Sequence, residues 1–439
     1  MSDGTGRIDA GPALSRDLAL ALWGLFVGLA MLLAAGGLFS TLLGVRAETK
    51  GLPTIITGGI AASYFLGFIA GSRLTLRALG KVGHIRVYSA LAALLTAAIL
   101  GIGLTDAWQP WMLLRFVTGL CFAGQYVVAE SWLNQLGTNE NRGRLLGLYS
   151  LVVAGAFAAG QAALFAFDGR VIAGFSVAAA LASLAVIPVT LSEEAVAPSI
   201  GVSERLSIRE LAKIVPTGLL SCLLIGIAHG VVGGLPAVYA TRAGFPLSQV
   251  GLFAAAPGIG GMLLQYPISS ASDDLDRRAV GLVSAVGALA MAIVLVLTPE
   301  AHWMAIVWFG VLGGLSYPLY SIAAAYTNDW VEPEHLNSAA STLVTMYGIG
   351  AVLGPFTAAA MMVALGPVGF FWALFVLHVF IAVFFFYRML AWRAPLAKRP
   401  WDQVSLPARA FYVPATVIAV GRTRVRRGDP PPDPADDPA

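Results

Sequence analysis

The sequence predicts an all-α integral membrane protein with twelve transmembrane helices in two six-helix bundles, and three observations lead there. Hydrophobic residues make up 58% of the 439-residue chain and charged residues 12%, a balance that a surface facing water does not sustain at this size. The mean hydropathy is +0.78. Apolar runs close to the roughly 20 helical residues needed to cross a hydrocarbon core recur along the chain without a long soluble insertion. They are continuous rather than alternating with period two, which selects helices over barrel strands.

In order, the predicted crossings are 18–43, 54–75, 87–105, 109–135, 143–167 and 170–190, then 214–240, 248–271, 279–298, 302–325, 338–363 and 368–391. The first lacks a small-residue cleavage site after a short apolar core, so it reads as a retained helix rather than a signal peptide. The second carries Gly58, Gly67 and Gly71, and the fifth Gly155 and Gly160. The eleventh carries Gly348, Gly350, Gly354 and Pro355. Small residues of this kind let helices pack closely and bend. Cys121 and Cys222 fall inside predicted helices at no metal or redox spacing and read as packing residues.

The domain plan is a segment 1–17, a bundle 18–191, a linker 192–213, a bundle 214–391 and a tail 392–439. The linker opens with Glu193, Glu194 and Pro198. Ser207-Ile208-Arg209-Glu210 has capping-box spacing, which predicts a short helix that bends into the seventh crossing at Pro216. The halves echo each other: the stretch from Arg142 ends Ala159-Gly160-Gln161, and the stretch from Leu336 ends Leu353-Gly354-Pro355. That suggests a parallel repeat about an axis normal to the membrane. In the tail, Arg422, Arg424, Arg426 and Arg427 precede a Pro/Asp run. The composition predicts a solvated, mostly disordered end, and contact of the basic cluster with anionic lipid is the alternative.

Lys and Arg are divided unequally between the two sets of loops. One set holds Arg7, Arg16, Arg73, Arg77, Lys81, Arg86, Arg142, Arg144, Arg205, Arg209, Lys213, Arg277, Arg278 and the tail cluster; the other holds Arg46, Lys50, Arg170 and Arg242. The positive-inside rule makes the crowded side cytoplasmic, with both termini there and the chain in a plasma membrane.

The eighth crossing ends in Gln265-Tyr266-Pro267 and continues to Asp273, followed by Asp276-Arg277-Arg278. An Asp at a helix end with two Arg four and five positions later resembles the loop signature of the major facilitator superfamily. The first-half counterpart runs Gly67-Phe68-Ile69-Ala70-Gly71-Ser72-Arg73, through Arg77 and Lys81 to Gly83-His84-Ile85-Arg86, and Gly71 stands where the superfamily pattern expects Asp. Together with Arg115-Phe116-Val117-Thr118-Gly119, Glu130-Ser131-Trp132 and Asn141-Arg142-Gly143-Arg144, the set is similar to the YcaD-like branch, bacterial inner-membrane permeases. The resemblance implies a twelve-helix secondary transporter that moves a small organic solute by alternating access. It implies that segments one, four, seven and ten surround the central cavity and that the loop charges form a cytoplasmic gate. On that basis the gate set is Gly67, Gly71, Arg73, Arg77, Arg86, Glu130, Arg142, Arg144, Asp273, Arg277 and Arg278.

The candidates for the cavity or for coupling are Arg115, Gln125, His229, Trp23, Tyr317, Tyr320, Gln161 and Gln265. A charge two turns into a membrane helix needs protein or water around it, so Arg115 either faces the cavity, binding an anionic group or relaying protons, or snorkels to the outer interface or makes a fixed helix–helix hydrogen bond. Glu130 reads as an ion-pairing gate residue or as a titrating carboxylate. His229 suits proton coupling by its neutral-range titration, while an interhelical hydrogen bond explains it, or any of the glutamines, equally well. Trp23, Tyr317 and Tyr320 offer amphipathic rings to an organic solute or face lipid.

Direct ATP drive is not expected, because no Gly-Lys-Ser/Thr phosphate loop occurs; protons are the simplest coupling ion. No cofactor and no nucleic-acid partner are expected, and the bilayer, a small solute and protons complete the partners of a monomer. Export of amphipathic or toxic compounds is the alternative within transport. A membrane enzyme would need clustered His, Asp or Glu, whereas His84, His229, His302, His335 and His378 are scattered one per segment. A transporter-like receptor or scaffold that uses the basic tail is the remaining class.

Overall fold

The computed structural model describes residues 16–136, 142–167, 170–192, 207–332 and 335–391. The expectations for segment 1–15, for Glu193, Glu194 and Pro198 of the linker, and for the tail lie outside the described residues. Among the described residues twelve helices are long and apolar enough to cross a membrane, and no strand occurs.

The first five crossings are α1 (Arg16–Thr49), α2 (Thr54–Val82), α3 (His84–Leu104), α4 (Trp108–Leu136) and α5 (Arg142–Ala162), the last prolonged by a 3-10 turn Ala163–Phe167. The sixth is α6 (Val171–Leu184) with α7 (Val186–Thr190) end to end. A short α8 (Ile208–Ile214) precedes the seventh crossing, which is split into α9 (Pro216–Gly234) and α10 (Pro236–Arg242). Then follow α11 (Leu247–Asp274), α12 (Arg277–Leu297), α13 (Met304–Ser316) with α14 (Pro318–Asn328), α15 (Leu336–Leu365) and α16 (Gly369–Ala391). We call proximal the side on which α1 begins and α16 ends, and distal the opposite side.

Ser207 caps α8 as its spacing predicts. Its hydroxyl accepts from the Glu210 amide, and Glu210 accepts from the Ser207 amide at 2.7 Å, which satisfies two orphan donors at once. Those bonds hold the exposed Glu210 carboxyl below the usual carboxylate range. Pro216 then starts α9 at a position where its missing N–H costs nothing.

The echo between the halves is visible in the packing. A Cβ on Gly160 would lie 2.0 Å from the Ala34 carbonyl oxygen, and one on Gly354 would lie 2.4 Å from that of Ile227. The fifth crossing of each half thus lays its backbone on the backbone of its own first crossing, at the matched glycine. Only a residue without a Cβ permits that approach.

Between halves, contact concentrates from mid-membrane to the distal side. Gly58 of α2 faces Pro355 and Ala359 of α15, and Gly348 of α15 faces Ile69 of α2. Gly44 of α1 faces Ala237 of α10, and Gly251 of α11 faces Gln161 near the end of α5 and Leu164 of the 3-10 turn after it. The distal seam is tied by Arg242, which bonds both Glu48 oxygens at 2.9 and 2.8 Å and the Thr54 hydroxyl at 2.8 Å. On the same side, Arg46 donates to the Ile102 and Gly103 carbonyls, and Lys50 and Arg46 both engage Asp106. These hydrogen bonds, that of Lys50 first, hold the exposed Asp106 carboxyl below its ordinary value.

Candidate functional site

Between the bundles, α1, α2 and α4 of one half meet the α9/α10 break of the other around a small cavity of about 30 Å³, adjoined by one of about 10 Å³. Ser40, Ala61, Arg115, Gly233 and Gly234 line both. The space suits a few ordered waters in this state. Its walls come from both bundles, so it widens if they part.

Arg115 lies two turns into α4 and is 7% exposed. Its Nη2 donates to the Ser40 hydroxyl at 3.1 Å, and its guanidinium stands 4.5 Å from the Tyr64 ring centre and 5.2 Å from that of Phe39. Aromatic faces and a hydroxyl stabilise a cation here that hydrocarbon would not. Arg115 therefore lines the cavity rather than snorkelling to an interface, and its bond to Ser40 also ties α4 to α1. Gln161 lines the larger cavity as well.

The other cavity candidates sit elsewhere. Gln125 donates to the Tyr88 carbonyl at 2.9 Å, which ties α4 to α3. Gln265 donates to Ser321 and Ser269 inside the second bundle. Trp23 is 43% exposed on α1 and lines neither cavity. His229, Tyr317 and Tyr320 are buried and line neither cavity, His229 lying one helical turn along α9 from Gly233.

His229 is joined to His378 by a chain of hydrogen bonds that runs through Ser316. His229 Nδ1 pairs with the Tyr347 hydroxyl at 2.9 Å, and its Nε2 with the Ser316 carbonyl at 3.1 Å. The Ser316 hydroxyl pairs with His378 Nε2 at 2.9 Å, and His378 Nδ1 with the Leu374 carbonyl at 2.8 Å. Carbonyls only accept, so Nε2 carries the proton in His229 and Nδ1 in His378, an assignment by partner chemistry. Tyr317 meets the His229 ring edge-on at 4.8 Å, and Tyr320 meets Tyr347 at 4.9 Å. The histidines scattered along the sequence are thus not all isolated: two converge at the α13/α14 break, where Pro318 cannot continue the backbone ladder. No sequence signal singled out His378 or Tyr347, because nothing local marks a residue that is paired across helices.

The gate candidates divide by half. Arg277 donates to Asp329 at 2.7 Å and to Asp273 at 3.1 Å, and Arg278 grips Asp276 and the Arg388 carbonyl at 3.0 Å. The signature turn thereby pins α11 and α12 to the ends of α14 and α16, all within the second bundle. Glu130 is buried and accepts from the Tyr149 hydroxyl at 3.3 Å. Arg73, Arg77 and Arg86 are exposed, and among the described residues no ion pair engages them. The side chains of Arg142 and Arg144 lie outside the described ones.

Gly67 and Gly71 make the α2–α4 contact. A Cβ would lie 1.8 Å from the Phe116 carbonyl oxygen at Gly67, and 2.3 Å from that of Leu120 at Gly71. The backbones touch where the superfamily pattern places Asp. That contact is the physical reason this chain has Gly there: no side chain fits.

Comparisons with known proteins follow the same geometry. A family profile described as Major Facilitator Superfamily matches residues 217–427. The chain is 30% identical over 344 residues to the uncharacterized MFS-type transporter YcaD of Salmonella arizonae, covering 77% of this chain and 88% of that one. It is 28% identical over 347 residues to YcaD of Salmonella typhimurium, with the same coverage. Among solved structures, the nucleoside transporter NupG aligns with a TM-score of 0.68 at 14% identity over 85% of this chain and all of its own. A bacterial homologue of the human lysosomal transporter Spinster, inward-facing and unoccupied, aligns with a TM-score of 0.66 at 16% identity over 85% and 97%. These two likenesses concern the fold.

Proposed function

Because the chain belongs to the Major Facilitator Superfamily, we propose that it is a secondary transporter that carries a small organic solute across the bacterial inner membrane by alternating access. The observation that carries this reading is the cavity at the bundle seam, with Arg115 buried in its wall and the distal side held shut by Arg242 and Glu48. Two bundles that meet over half their height rock about a midplane site. The proximal ends bear most of the Lys and Arg, so on this reading the proximal side and both termini are cytoplasmic. This state is then closed to the outside, and the opposite state breaks the Arg242 pairing.

Protons supply the work on this reading. The groups suited to carry them are Glu130 and His229, the latter one helical turn along α9 from Gly233 of the cavity wall. The gradients, not the fold, set uptake or export. A monomer suffices, since one chain encloses its own path.

The test is purified protein in pH-gradient liposomes, screened with metabolites for solute-evoked lumenal pH change and for counterflow. Wild type is compared with Arg115→Ala, Glu130→Gln and His229→Gln. Solute-dependent acidification or alkalinisation, lost in a variant that still folds, supports proton-coupled transport. Counterflow without a pH change removes the proton and keeps the transporter. Silence in both assays across the screen moves the reading to a receptor or scaffold.

A further inference from the structure

We propose that the solute is an organic anion, an acidic group on an aromatic or apolar body, and that Arg115 binds the acidic group. This inference rests on the transport reading for its site. Four observations support the anion.

First, Arg115 carries the one formal charge among the described residues lining either cavity; the rest are hydroxyls, glycines, alanines, aliphatics, aromatic rings and Gln161. A single buried cation in low dielectric sets a positive potential throughout so small a space. A cationic solute would be repelled and finds no carboxylate on the walls.

Second, the guanidinium is held rather than free to swing. Tyr64 and Phe39 stand 4.5 and 5.2 Å from its carbon, and Ser40 takes Nη2. A planar fork fixed in place is suited to a carboxylate, sulfonate or phosphate edge.

Third, the smaller cavity presents Phe65, Phe122 and Phe157 beside Tyr64. Those rings offer stacking and apolar contact to the body of a solute, whereas an inorganic anion would leave them unused.

Fourth, the charge stands at the bundle seam. Gly233 and Gly234 of the opposite half share its cavity, and a Cβ on Gly234 would touch Pro355 and Ala61. An anion drawn to Arg115 therefore occupies the space that changes when the bundles move, as a transported solute must.

The experiment reads binding without transport. Full-length protein in detergent is titrated by calorimetry with benzoate, phenylacetate, benzenesulfonate and phenyl phosphate, and with benzamide, benzyl alcohol and benzylammonium as uncharged and cationic matches. The expected result is saturable binding of at least one anion, roughly 10- to 100-fold tighter than its uncharged match, the range of a charged hydrogen bond. Arg115→Gln abolishes that preference and Arg115→Lys keeps part of it, while both variants keep the wild-type gel-filtration profile. A Phe122→Leu variant, with its fold unchanged, weakens all the aromatic probes alike and leaves the anion preference in place. Equal or tighter binding of benzamide or benzylammonium overturns the proposal. So does an anion preference that survives Arg115→Gln, or failure of every anion to bind. Anion binding with no counterflow in liposomes would sink the transport reading, and the anion as a transported solute with it, while anion binding by Arg115 stands. Counterflow confined to neutral or cationic solutes would do the reverse.

Discussion

Arg242 at the end of α10 holds Glu48 at the end of α1 through two parallel hydrogen bonds, Nε to Oε1 at 2.9 Å and Nη2 to Oε2 at 2.8 Å. The pair joins one bundle to the other at the distal rim, and Thr54 takes a third guanidinium donor. Both side chains are about a quarter exposed or less. Bidentate geometry lifts such a pair above an ordinary surface ion pair, to about 1–2 kcal/mol.

Glu48→Gln is expected to shift the conformational balance toward opening of the distal side by about 5- to 30-fold, following from that energy. Thiol labelling of a Thr57→Cys reporter on the cavity wall reads the shift from the distal side. Equal labelling rates with and without Glu48→Gln would mean that the pair does not latch the seam.

Gly71→Asp restores the residue that the superfamily pattern carries, yet it is expected to damage this protein. The new Cβ would fall 2.3 Å from the Leu120 carbonyl oxygen and 2.7 Å from Leu120 Cα, so α2 and α4 must separate, at a cost of about 1–3 kcal/mol or more. A fall in melting temperature in detergent, larger than that of Gly155→Ala, checks this. Gly155 has nothing within 4 Å of its Cβ position. A Gly71→Asp protein as stable as wild type would show that the helix contact yields easily.

Arg277→Gln removes the guanidinium from Asp329, whose side chain is 1% exposed. Breaking a buried pair on one side typically costs about 3–5 kcal/mol. Asp273→Asn, at a carboxylate 30% exposed on the same arginine, is expected to cost about 1 kcal/mol or less. Melting temperatures of the two variants decide the matter: equal losses would show that the Asp329 side of the turn holds nothing in particular.

His229→Gln and His378→Gln each remove one end of the Ser316-centred chain, leaving buried partners unpaired at about 1–3 kcal/mol each. Because both rings bond the same residue, the double variant is expected to depart from additivity by at least about 0.5 kcal/mol. Strictly additive melting losses would mean that Ser316 does not couple them. In liposomes His229→Gln is expected to keep counterflow while losing proton-driven accumulation. Retained accumulation would place the coupling proton elsewhere, with Glu130 the next group to substitute.

Sequence patterns alone marked the twelve crossings, because lipid leaves a helix no other way to satisfy its backbone than within itself. The capping box at Ser207 was legible for a related reason: its bonds close within four residues. Arg115 could be singled out as a charge at membrane depth, though not as a cavity residue rather than a snorkelling one. That choice depended on Ser40, Phe39 and Tyr64, which α1 and α2 bring to it.

Prolines show where local reasoning stops. Pro257 and Pro267 lie inside an unbroken α11, and Pro355 inside α15, while Pro236 and Pro318 each begin a new helix after a break. The residue type is the same, and the neighbours decide which ladder lapses. The pairing of His229 with His378, the grip of Arg242 on Glu48 and the backbone contact at Gly71 are likewise products of packing between helices distant in sequence. The sequence by itself determined the solvent, the number of crossings and the family, since these follow from composition, periodicity and contiguous motifs. Which polar groups meet, and therefore which can bind, couple or latch, only the tertiary structure decided, because a side chain's partner in a helix bundle lies on another helix.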